Sequence, residues 1–529
     1  MIFSRGAAAL SRRSFLLRGA STLAALSALG NGATPALAQG TPMSEPFSFD
    51  TLIARARRIA SADHVPPTTL GAPFSDLDYD GYRNVQFNEA RVRWSGPDAP
   101  ALLHAYHPGW LFDTTVTLFE VVDGVATPMA FSVADFNYYG STANMLKDDT
   151  TLPGVAGFRL NMPLNAAGRY DEVVSLLGAS YFRALGRGNR YGLSARGLAV
   201  NTATSEAEEF PRFSAFWLER PAVGATSVTF YGLLESESVT GAYRFVLTPG
   251  ETTTIDITSE LFFRRDVAQL GIAPLTSMYL FGPNDRGTFD DYRLRVHDSE
   301  ALVINGGGET LYRVINNPSR LANSYFSVQA PTSFGLVQRT RDFDDYLDAG
   351  AHYELRPSLT VEPAGDWGAG MVRLIEIPSD LEANDNIVAF WIPPSPFVAG
   401  STAQFAYRLN WGMSPPGSSS DLARISRTLA GHGGVSGIKP RADHRKFVID
   451  FAGGPLAEPI DEASVEAQLQ VDGGKIVEDV LQRIDGTDPV WRLVIEVEAD
   501  PGAIVELRAN LATGERRLSE TWVYQWLKD

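Results

Sequence analysis

Two short segments, about ninety residues apart, carry side chains that could act together as an acid and a base. The first, Ser277–Glu300, joins an apolar strand and a Gly/Pro/Asn turn to several acids, arginines and the dipeptide His297-Asp298. The second is Glu382–Asn386, in which Asp385 lies between two asparagines just before an apolar run. Two carboxylates brought together from distant segments are what acid/base hydrolysis of a glycosidic bond requires. Asp and Asn before a strand are also ordinary turn residues, so spacing alone leaves a purely structural role open.

Other catalytic chemistries have little support in the sequence. The chain has no cysteine, which excludes a thiol nucleophile, a disulfide framework and a thiolate metal site. Of the seven histidines only His104 and His107 lie close together, and no carboxylate cluster accompanies them at metal-ligand spacing. The sequence contains no GxSxG nucleophile elbow, P-loop or GxGxxG pattern. We therefore predict neither a metal nor a cofactor.

Aromatic residues, 11% of the chain, cluster with polar groups in turn-like contexts. Examples are Tyr106–Trp110 (YHPGW), Phe136–Gly140 (FNYYG) and Tyr181–Arg183 (YFR). Sugar rings have apolar faces and hydroxyl edges, so a carbohydrate cleft combines exposed aromatic rings with Asp, Asn, Arg and His side chains. Any single aromatic residue could instead fill a large β core. The clustering with polar groups favours a cleft.

The elements that would position these groups are mostly strands. Apolar residues at helical spacing predict an amphipathic helix over Phe47–Ala62, and a short helical pattern covers Tyr170–Leu177. The arginine- and glycine-rich segment Leu177–Leu198 is predicted as a long loop whose arginines pair with acids. Elsewhere, alternating or apolar runs are bounded by Gly, Pro, Asn and Asp, which is typical of a β-sandwich or barrel. We therefore predict an all-β chain.

The composition changes after Trp411. Residues 412–444 are rich in Gly, Pro and Ser and contain no aromatic residue, which indicates a linker or mobile loop. Beyond it, about seven short strands in roughly a hundred residues resemble a smaller immunoglobulin-like β-sandwich without cysteines. We assign residues 39–411 to a large β-sandwich catalytic domain, 412–444 to a linker or lid, and 445–529 to the immunoglobulin-like domain.

The amino terminus has the features of an export signal. A twin-arginine motif, Ser11–Leu16, precedes an apolar run of small residues and an A-x-A cleavage site at Ala36–Ala38. This pattern predicts removal of residues 1–38 and export of the folded chain to the periplasm by the twin-arginine route. The mature chain would carry 41 basic and 62 acidic residues, a net charge of −21. Such a surface disfavours nucleic acid and anionic lipid, and we expect no stable membrane insertion.

Several long motifs resemble the periplasmic glucans biosynthesis proteins of the G and D type. The resemblance covers nearly the whole mature chain, and its twin-arginine signal is similar to that of the D type. The most specific motifs are DYDGYRNVQFN (Asp78–Asn88), YHPGWLFD (Tyr106–Asp113), LGASYFRALGRGNRYGLSARGLA (Leu177–Ala199), EEFPRFSAFWLERP (Glu208–Pro221), RVHDSE (Arg295–Glu300), YELRPS (Tyr353–Ser358) and EANDNIVAFW (Glu382–Trp391).

The resemblance implies a fold, a substrate and roles for individual residues. The fold would be a large galactose-mutarotase-like β-sandwich followed by the immunoglobulin-like one. The partner would be β-1,2-glucan, processed with inversion, with Asp385 as the general acid, Asp298 as the base and Tyr353 in the proton path. We expect a homodimer. The predicted substrate-binding residues are Tyr106, His107, Trp110, Tyr139, Tyr181, Arg183, Arg293, His297 and Arg356.

The type of reaction stays open at this point. Endo-hydrolysis is the first hypothesis, and transfer that closes the glucan into a ring through an α-1,6 bond is the second. The aromatic-free segment 412–444 bears on this choice, because a poorly sealed lid would let a sugar hydroxyl replace the attacking water. A non-catalytic glucan-binding scaffold and a mutarotase-like enzyme acting on monosaccharides are the remaining alternatives.

Overall fold

The computed structural model describes residues 44–147, 150–394, 396–433, 437–484, 486 and 489–529. The predicted signal peptide, residues 1–38, lies outside them. Within these ranges the α-helices are α1 (Phe49–Ala60) and α2 (Tyr79–Arg83), and none is long and apolar enough to cross a membrane. Single 3-10 turns cover Glu89–Arg91, Val133–Asp135, Gly140–Thr142, Phe343–Asp345, Tyr353–Leu355, Gly454–Ala457 and Glu462–Ser464.

The remaining regular structure consists of strands. The first half of the chain contains β1 (Glu45–Pro46), β2 (Val85–Phe87), β3 (Leu102–Tyr106), β4 (Thr117–Val122), β5 (Val125–Pro128), β6 (Phe136–Tyr138), β7 (Gly157–Ala166), β8 (Arg169–Leu177), β9 (Tyr181–Ala184), β10 (Ser194–Arg196), β11 (Ala199–Val200), β12 (Arg212–Glu219), β13 (Val228–Glu235), β14 (Val239–Thr248) and β15 (Thr253–Phe263). The second half contains β16 (Leu270–Ser277), β17 (Tyr279–Phe281), β18 (Val296–His297), β19 (Ala301–Gly306), β20 (Glu309–Val314), β21 (Ala322–Gln329), β22 (Ser333–Val337), β23 (Ser358–Pro363), β24 (Ala369–Glu376), β25 (Ile387–Ile392), β26 (Thr402–Gly412), β27 (Arg424–Gly431), β28 (His444–Ala452), β29 (Glu466–Asp472), β30 (Lys475–Ile484), β31 (Val490–Glu498), β32 (Ile504–Thr513), β33 (Arg516–Arg517) and β34 (Thr521–Leu527).

Two large sheets pack face to face. Among the described residues, the first sheet has 16 strands in the order β1-β5-β4-β12-β13-β14-β15-β26-β23-β22-β19-β20-β34-β32-β29, with β33 beside β32. The second has ten in the order β21-β24-β25-β16-β10-β9-β8-β7-β3, with β11 beside β16. Between the sheets, the Phe158 ring of β7 contacts the Phe216 ring of β12, with centroids 5.1 Å apart. The all-β sandwich predicted from the sequence is therefore confirmed.

The alternation of side chains explains why these segments form strands. In β15, Ile255, Ile257 and Leu261 are at most 2% exposed and face the core, while Asp256, Thr258 and Glu260 lie on the opposite face and are half-buried. Each fully buried side chain of this size contributes about 1.5–3 kcal/mol relative to an exposed one. Because the side-chain period of a strand is two, only an extended backbone buries this set together.

The predicted amino-terminal helix is present as α1. Ser48 caps it by accepting a hydrogen bond from the Thr51 amide at 3.2 Å, and the Thr51 hydroxyl oxygen accepts one from the Ser48 amide at 3.0 Å. Leu52 and Ala56 are buried against the first sheet, in a small core that includes Trp217. The helix thus covers the face of this sheet that is turned away from the second one.

Two local predictions were wrong. Tyr170–Leu177, predicted as a helix, lies within strand β8, between β7 and β9. A short apolar run does not distinguish a helix from a buried strand, and neighbouring strands decide the outcome by supplying hydrogen bonds. Leu177–Leu198, predicted as a loop, contains β9 and β10, although two of its arginines do pair with acids, Arg183 with Asp385 and Arg196 with Glu208.

The carboxy-terminal region forms a second, smaller sandwich. One layer is β27-β28-β31-β30 and the other is β34-β32-β29, an arrangement of four and three strands like that of immunoglobulin domains. Its core includes Phe447, Trp491 and Trp522. Strand β27 lies inside the segment predicted to be a linker, and β34 pairs in parallel with β20 of the large sandwich. The first sheet therefore runs continuously through both sandwiches.

Candidate functional site

A row of polar side chains crosses the second sheet on the face turned away from the core. Their neighbours along the strands, such as Leu103 and Leu160, are buried in the core. Strand register and one hydrogen bond place each member beside the next, from β3 to β16: His104, Arg159, Ser175, Arg183, Ser194 and Thr276. We call these six residues the polar row. Thr276 pairs in turn with Val388 of β25, three residues after Asp385. At about 4.8 Å per strand, the five steps from His104 to Thr276 span about 24 Å.

Asp385 lies in the loop at the inner end of the polar row. Its carboxylate Oδ2 is 3.7 Å from Nη2 of Arg183, and Arg183 Nε donates a hydrogen bond to Ser194 Oγ at 2.8 Å. The next residue, Asn386, is 2% exposed and fixes the loop. Its side-chain amide donates to the carbonyls of Tyr279 and Ile377, both at 2.9 Å, and its oxygen accepts from the Tyr279 amide at 2.8 Å. The backbone beside Asp385 is therefore held at three points.

Asp298 lies on the other wall, directly after β18. It is 4% exposed, its amide donates to the Met278 carbonyl at 2.8 Å, and its carboxylate forms an ion pair with Arg356. Burial raises the pKa of the Asp298 carboxyl, the Arg356 guanidinium opposes this rise, and the negative charge of Asp385 adds to it. The two aspartates are thus close enough to interact electrostatically, although they are 87 positions apart in the sequence.

Tyr353 lies on the far side of Arg356 from Asp298. The Arg356 guanidinium carbon is 4.0 Å from the centroid of the Tyr353 ring, and the Tyr353 hydroxyl donates a hydrogen bond to Glu382. Burial and this bond raise the pKa of Tyr353 well above its usual value, so the hydroxyl stays protonated. The predicted catalytic residues therefore lie together, with Arg356 between Tyr353 and Asp298.

Glu382 belongs to a network of acids around Arg293. The Arg293 guanidinium contacts Asp291 at 2.8 Å, Asp348 at 2.8 Å and Glu382 at 3.0 Å, and its side chain is 13% exposed. These three carboxylates come from three separate loops. Arg293, predicted to bind substrate, is thus occupied in joining the loops around Tyr353.

The two histidines predicted to bind substrate are buried, which corrects that expectation. His297 is 1% exposed, stacks on Tyr279 with ring centroids 5.3 Å apart, and shares a 3.0 Å hydrogen bond with Gln338. His107 is 3% exposed and shares a 3.0 Å hydrogen bond with the Tyr138 hydroxyl. Burial lowers the pKa of each imidazole to about 4. Both side chains support the site from beneath.

Tyr106 lies at the outer end of the polar row. Its hydroxyl donates to Glu172 at 3.1 Å and shares a 2.8 Å hydrogen bond with Ser175. Glu172 also accepts from the Tyr191 hydroxyl at 2.6 Å and pairs with Arg159 at 3.0 Å. These contacts continue the polar row toward the sheet edge with groups that can hydrogen-bond sugar hydroxyls.

An aromatic cluster adjoins this outer end. Trp110 contacts Tyr79, Tyr82 and Phe112, with ring centroids 5.4–5.9 Å apart. Tyr79 is 50% exposed. Tyr139, 51% exposed, is held next to α2 by its amide, which donates to the Asn84 carbonyl at 2.9 Å. Exposed rings at the end of a polar groove suit the apolar faces of sugars.

Tyr181 occupies a more enclosed position. It pairs with Arg196 in the register of β9 and β10, and the Arg196 guanidinium carbon is 5.1 Å from the centroid of its ring. Arg196 itself is 1% exposed. Tyr181 is half-buried and shares its face of β9 with Arg183 of the polar row, two residues further along the same strand.

Several residues of the site were missed by the sequence analysis. Glu382 was noted only as part of a motif, and Glu172, Asp291 and Asp348 were not singled out. No local signal marks them, because their partners are 13 to 89 positions away, except for Asp291 beside Arg293. The acids clustered in Ser277–Glu300 were the one available indication.

Comparison with known proteins identifies the family. Residues 47–526 match the family model described as "Periplasmic glucan biosynthesis protein, MdoG". The chain is 53% identical to "Glucans biosynthesis protein G" of Cereibacter sphaeroides, over 98% of each chain. It is 44% identical to the protein of the same name from Rhodopseudomonas palustris strain BisA53 and 42% identical to that of Serratia proteamaculans, in each case over 93% of this chain and 96% of the relative. The matched range contains the motifs Asp78–Asn88, Arg295–Glu300 and Glu382–Trp391, and this chain belongs to the MdoG family of periplasmic glucan biosynthesis proteins.

Proposed function

We propose that this protein acts in the biosynthesis of periplasmic glucans as an inverting enzyme that processes β-1,2-glucan, chiefly by endo-hydrolysis. Its membership of the MdoG family supports the pathway. The twin-arginine motif and the A-x-A site support export to the periplasm. The observation that carries the enzymatic proposal is the convergence of Asp385 and Asp298, from distant segments, at the inner end of the polar row.

The two carboxyl groups would divide the acid and base roles. Asp385, which has a side chain 20% exposed, donates a proton to the departing glycosidic oxygen. Asp298 receives the proton of the attacking water, and the new bond forms on the opposite face of the sugar ring. Burial raises the pKa of Asp298, which makes it a stronger base once it is ionised. Asp298 and Tyr353 are both enclosed, and Arg356 contacts both side chains, so the proposed proton path runs from the attacking water through the Tyr353 hydroxyl and further waters to Asp298.

The polar row and the aromatic cluster favour a polymer over a monosaccharide. The polar row spans about 24 Å at the strand spacing of a sheet, several times the length of one sugar ring, and its accessible members are Arg159, Ser175 and Arg183, while His104, Ser194 and Thr276 are at most 3% exposed. Its inner end holds the acids, and its outer end holds Tyr106 and the cluster around Trp110. A chain lying along the row would pass Asp385 with sugar units on one side bound by the sheet. This arrangement supports action on a polymer.

The decisive experiment incubates the mature chain and two variants, Asp385→Asn and Asp298→Asn, with linear β-1,2-glucan. Products are separated by chromatography and weighed by mass spectrometry. New reducing ends and shorter oligosaccharides are expected from the unaltered protein, with a loss of about 10²–10⁴-fold in each variant, the usual contribution of a general acid or base. Asp479→Asn, an exposed aspartate of β30, is the matched control and should retain full activity.

The products also separate the other functions. Cyclic glucans one water lighter than their linear counterparts, without new reducing ends, would identify the cyclising transfer, in which a sugar 6-hydroxyl replaces water as the attacking group. A specific observation favours a scaffold: Asp298 is paired with Arg356 and Tyr353 with Glu382, so both groups already have partners. Tight glucan binding with no product from any of the proteins would establish that alternative and refute catalysis.

A further inference from the structure

One tyrosine in the strand before the base contacts both walls of the candidate site. Tyr279 of β17 pairs with His297 of β18, the residue directly before Asp298, and the two rings stack with an interplanar angle of 4°. The residue before Tyr279, Met278, accepts the hydrogen bond from the Asp298 amide at 2.8 Å. The backbone and the ring around Tyr279 therefore set where Asp298 lies.

The same tyrosine holds the loop of the acid. Both backbone groups of Tyr279 are hydrogen-bonded to the side chain of Asn386, its amide at 2.8 Å and its carbonyl at 2.9 Å. Asn386 directly follows Asp385. Among the hydrogen bonds of the described residues, the Asn386 side-chain oxygen has no partner other than the Tyr279 amide. A shift of Tyr279 would therefore disturb the loop of Asp385 and, through Met278, the backbone of Asp298.

A third contact of Tyr279 leads to the carboxy-terminal sandwich. Its hydroxyl donates to Asn284 Oδ1 at 2.9 Å, and the Asn284 carbonyl accepts from the Tyr524 hydroxyl of β34 at 2.9 Å. Arg445 of β28 donates to the same carbonyl at 3.3 Å. The three residues Tyr279, Asn284 and Tyr524 are at most 6% exposed. Buried networks of this kind are rigid when every member is satisfied and costly when one is lost.

We propose that the series of hydrogen bonds Tyr279–Asn284–Tyr524 makes the carboxy-terminal sandwich a positioning element for both carboxylates of the site. Tyr524 and Asn284 touch no reacting group. They act through Tyr279, which connects the strand of Asp298 with the loop of Asp385. The sandwich thereby sets the distance between acid and base. The catalytic consequence rests on the proposed function, but the mechanical coupling does not.

The test is the Tyr524→Phe substitution in the full mature chain, which removes one hydroxyl and leaves the ring in place. Hydrogen–deuterium exchange followed by mass spectrometry is expected to show faster exchange in residues 296–299 and 382–386. Turnover of β-1,2-glucan should fall roughly three- to tenfold at unchanged KM, as expected for one lost hydrogen bond to a positioning group.

The matched control is Thr428→Val. The substitution removes the hydroxyl that accepts a hydrogen bond from Trp522 Nε1 at 3.1 Å. Trp522 lies two residues before Tyr524 on the same strand. Among the hydrogen bonds of the described residues, the Thr428 side chain has no link to Asn284. Its exchange in residues 296–299 and 382–386 should equal that of the unaltered protein. Arg445→Met, which removes the other donor to the Asn284 carbonyl, gives a second and milder break should Tyr524→Phe fail to fold.

If residues 296–299 and 382–386 exchange hydrogen at the rate of the unaltered protein in Tyr524→Phe and Arg445→Met as well as in Thr428→Val, the proposal is overturned. The exchange measurement needs no substrate, so it remains decisive even if the protein cleaves no glucan. Faster exchange in a protein without hydrolytic activity would support the coupling and reject the enzymatic function separately.

Discussion

Removal of the Arg356 charge should expose how strongly the site depends on one ion pair. Arg356 and Asp298 have side chains 18% and 5% exposed, so the pair is shielded from water. Removing one partner of such a pair leaves an uncompensated buried charge and costs about 3–5 kcal/mol of unfolding free energy. Arg356→Met keeps much of the packing against Tyr353 and Gly192 and removes the charge. We therefore expect a loss of about 3–5 kcal/mol near pH 7.

The interaction itself is measured by a double-mutant cycle with Asp298→Asn. In that background no buried carboxylate is left unpaired, so Arg356→Met should cost only its contact with the Tyr353 ring, about 1 kcal/mol. The coupling energy should then be about 2–4 kcal/mol. The assay is urea unfolding of the full mature chain, followed by tryptophan fluorescence. Arg408→Met, which breaks an exposed pair with Asp256, should cost less than about 1 kcal/mol and serves as the control.

The pH dependence of the same variant has a definite sign. Without Arg356 the opposing charge is gone, so the folded-state pKa of Asp298 rises further above its unfolded value. The destabilisation is then fully present above that folded pKa and shrinks as the pH falls through it, because protonation removes the buried charge. The acid limb of the activity profile should move to higher pH. An equal cost of Arg356→Met in both backgrounds, or one independent of pH, would refute this reasoning.

Two further predictions concern the buried histidines and the polar row. The pKa of His107 and His297 lies at about 4 in the folded chain, against about 6.5 when unfolded, so stability is complete above pH 6.5 and falls toward pH 4 by up to about 3 kcal/mol for each. Urea unfolding at pH 7 and pH 4.5 should show this loss of stability. His107→Phe should remove about half of the loss, and His432→Gln, at an exposed histidine, should leave it unchanged. A stability that does not change with pH would contradict the lowered pKa of the two buried histidines. In the Asp385→Asn background, Arg159→Met should weaken the binding of long β-1,2-glucans, measured by calorimetry, and leave the binding of short ones unchanged. The control Arg169→Met, at a side chain 72% exposed, should change neither affinity. Equal loss for long and short glucans would show that the outer end of the row does not hold the chain.

The strand pattern was recoverable from the sequence because burial on one face of a sheet imposes a period of two along the chain. The alternation in Thr253–Phe263 and the short strands after residue 444 are of this kind. The helix α1 was equally local, since its cap and its apolar spacing lie within a dozen residues. The failures, Tyr170–Leu177 and the loop over Leu177–Leu198, are segments whose state depends on neighbouring strands.

The candidate acids were found in the same way, from residue type and local context. Asp385 between two asparagines and Asp298 after a histidine are visible in the sequence, and the family motifs assign them roles. Their partners are not visible. Arg356 is 58 positions from Asp298, and Glu382 is 29 positions from Tyr353. No rule of spacing connects such pairs.

By itself the sequence determined the all-β class and the family and proposed the two aspartates as candidates, because alternation, motifs and residue chemistry are properties of short segments. The tertiary structure alone decided which of the predicted binding residues remain accessible, and it buried His107 and His297 while Tyr139 stayed exposed. It also joined the carboxy-terminal sandwich to the site through Tyr524 and Asn284, 240 positions apart. These outcomes depend on the register and packing of strands from distant parts of the chain, and such contacts form only when the whole core assembles.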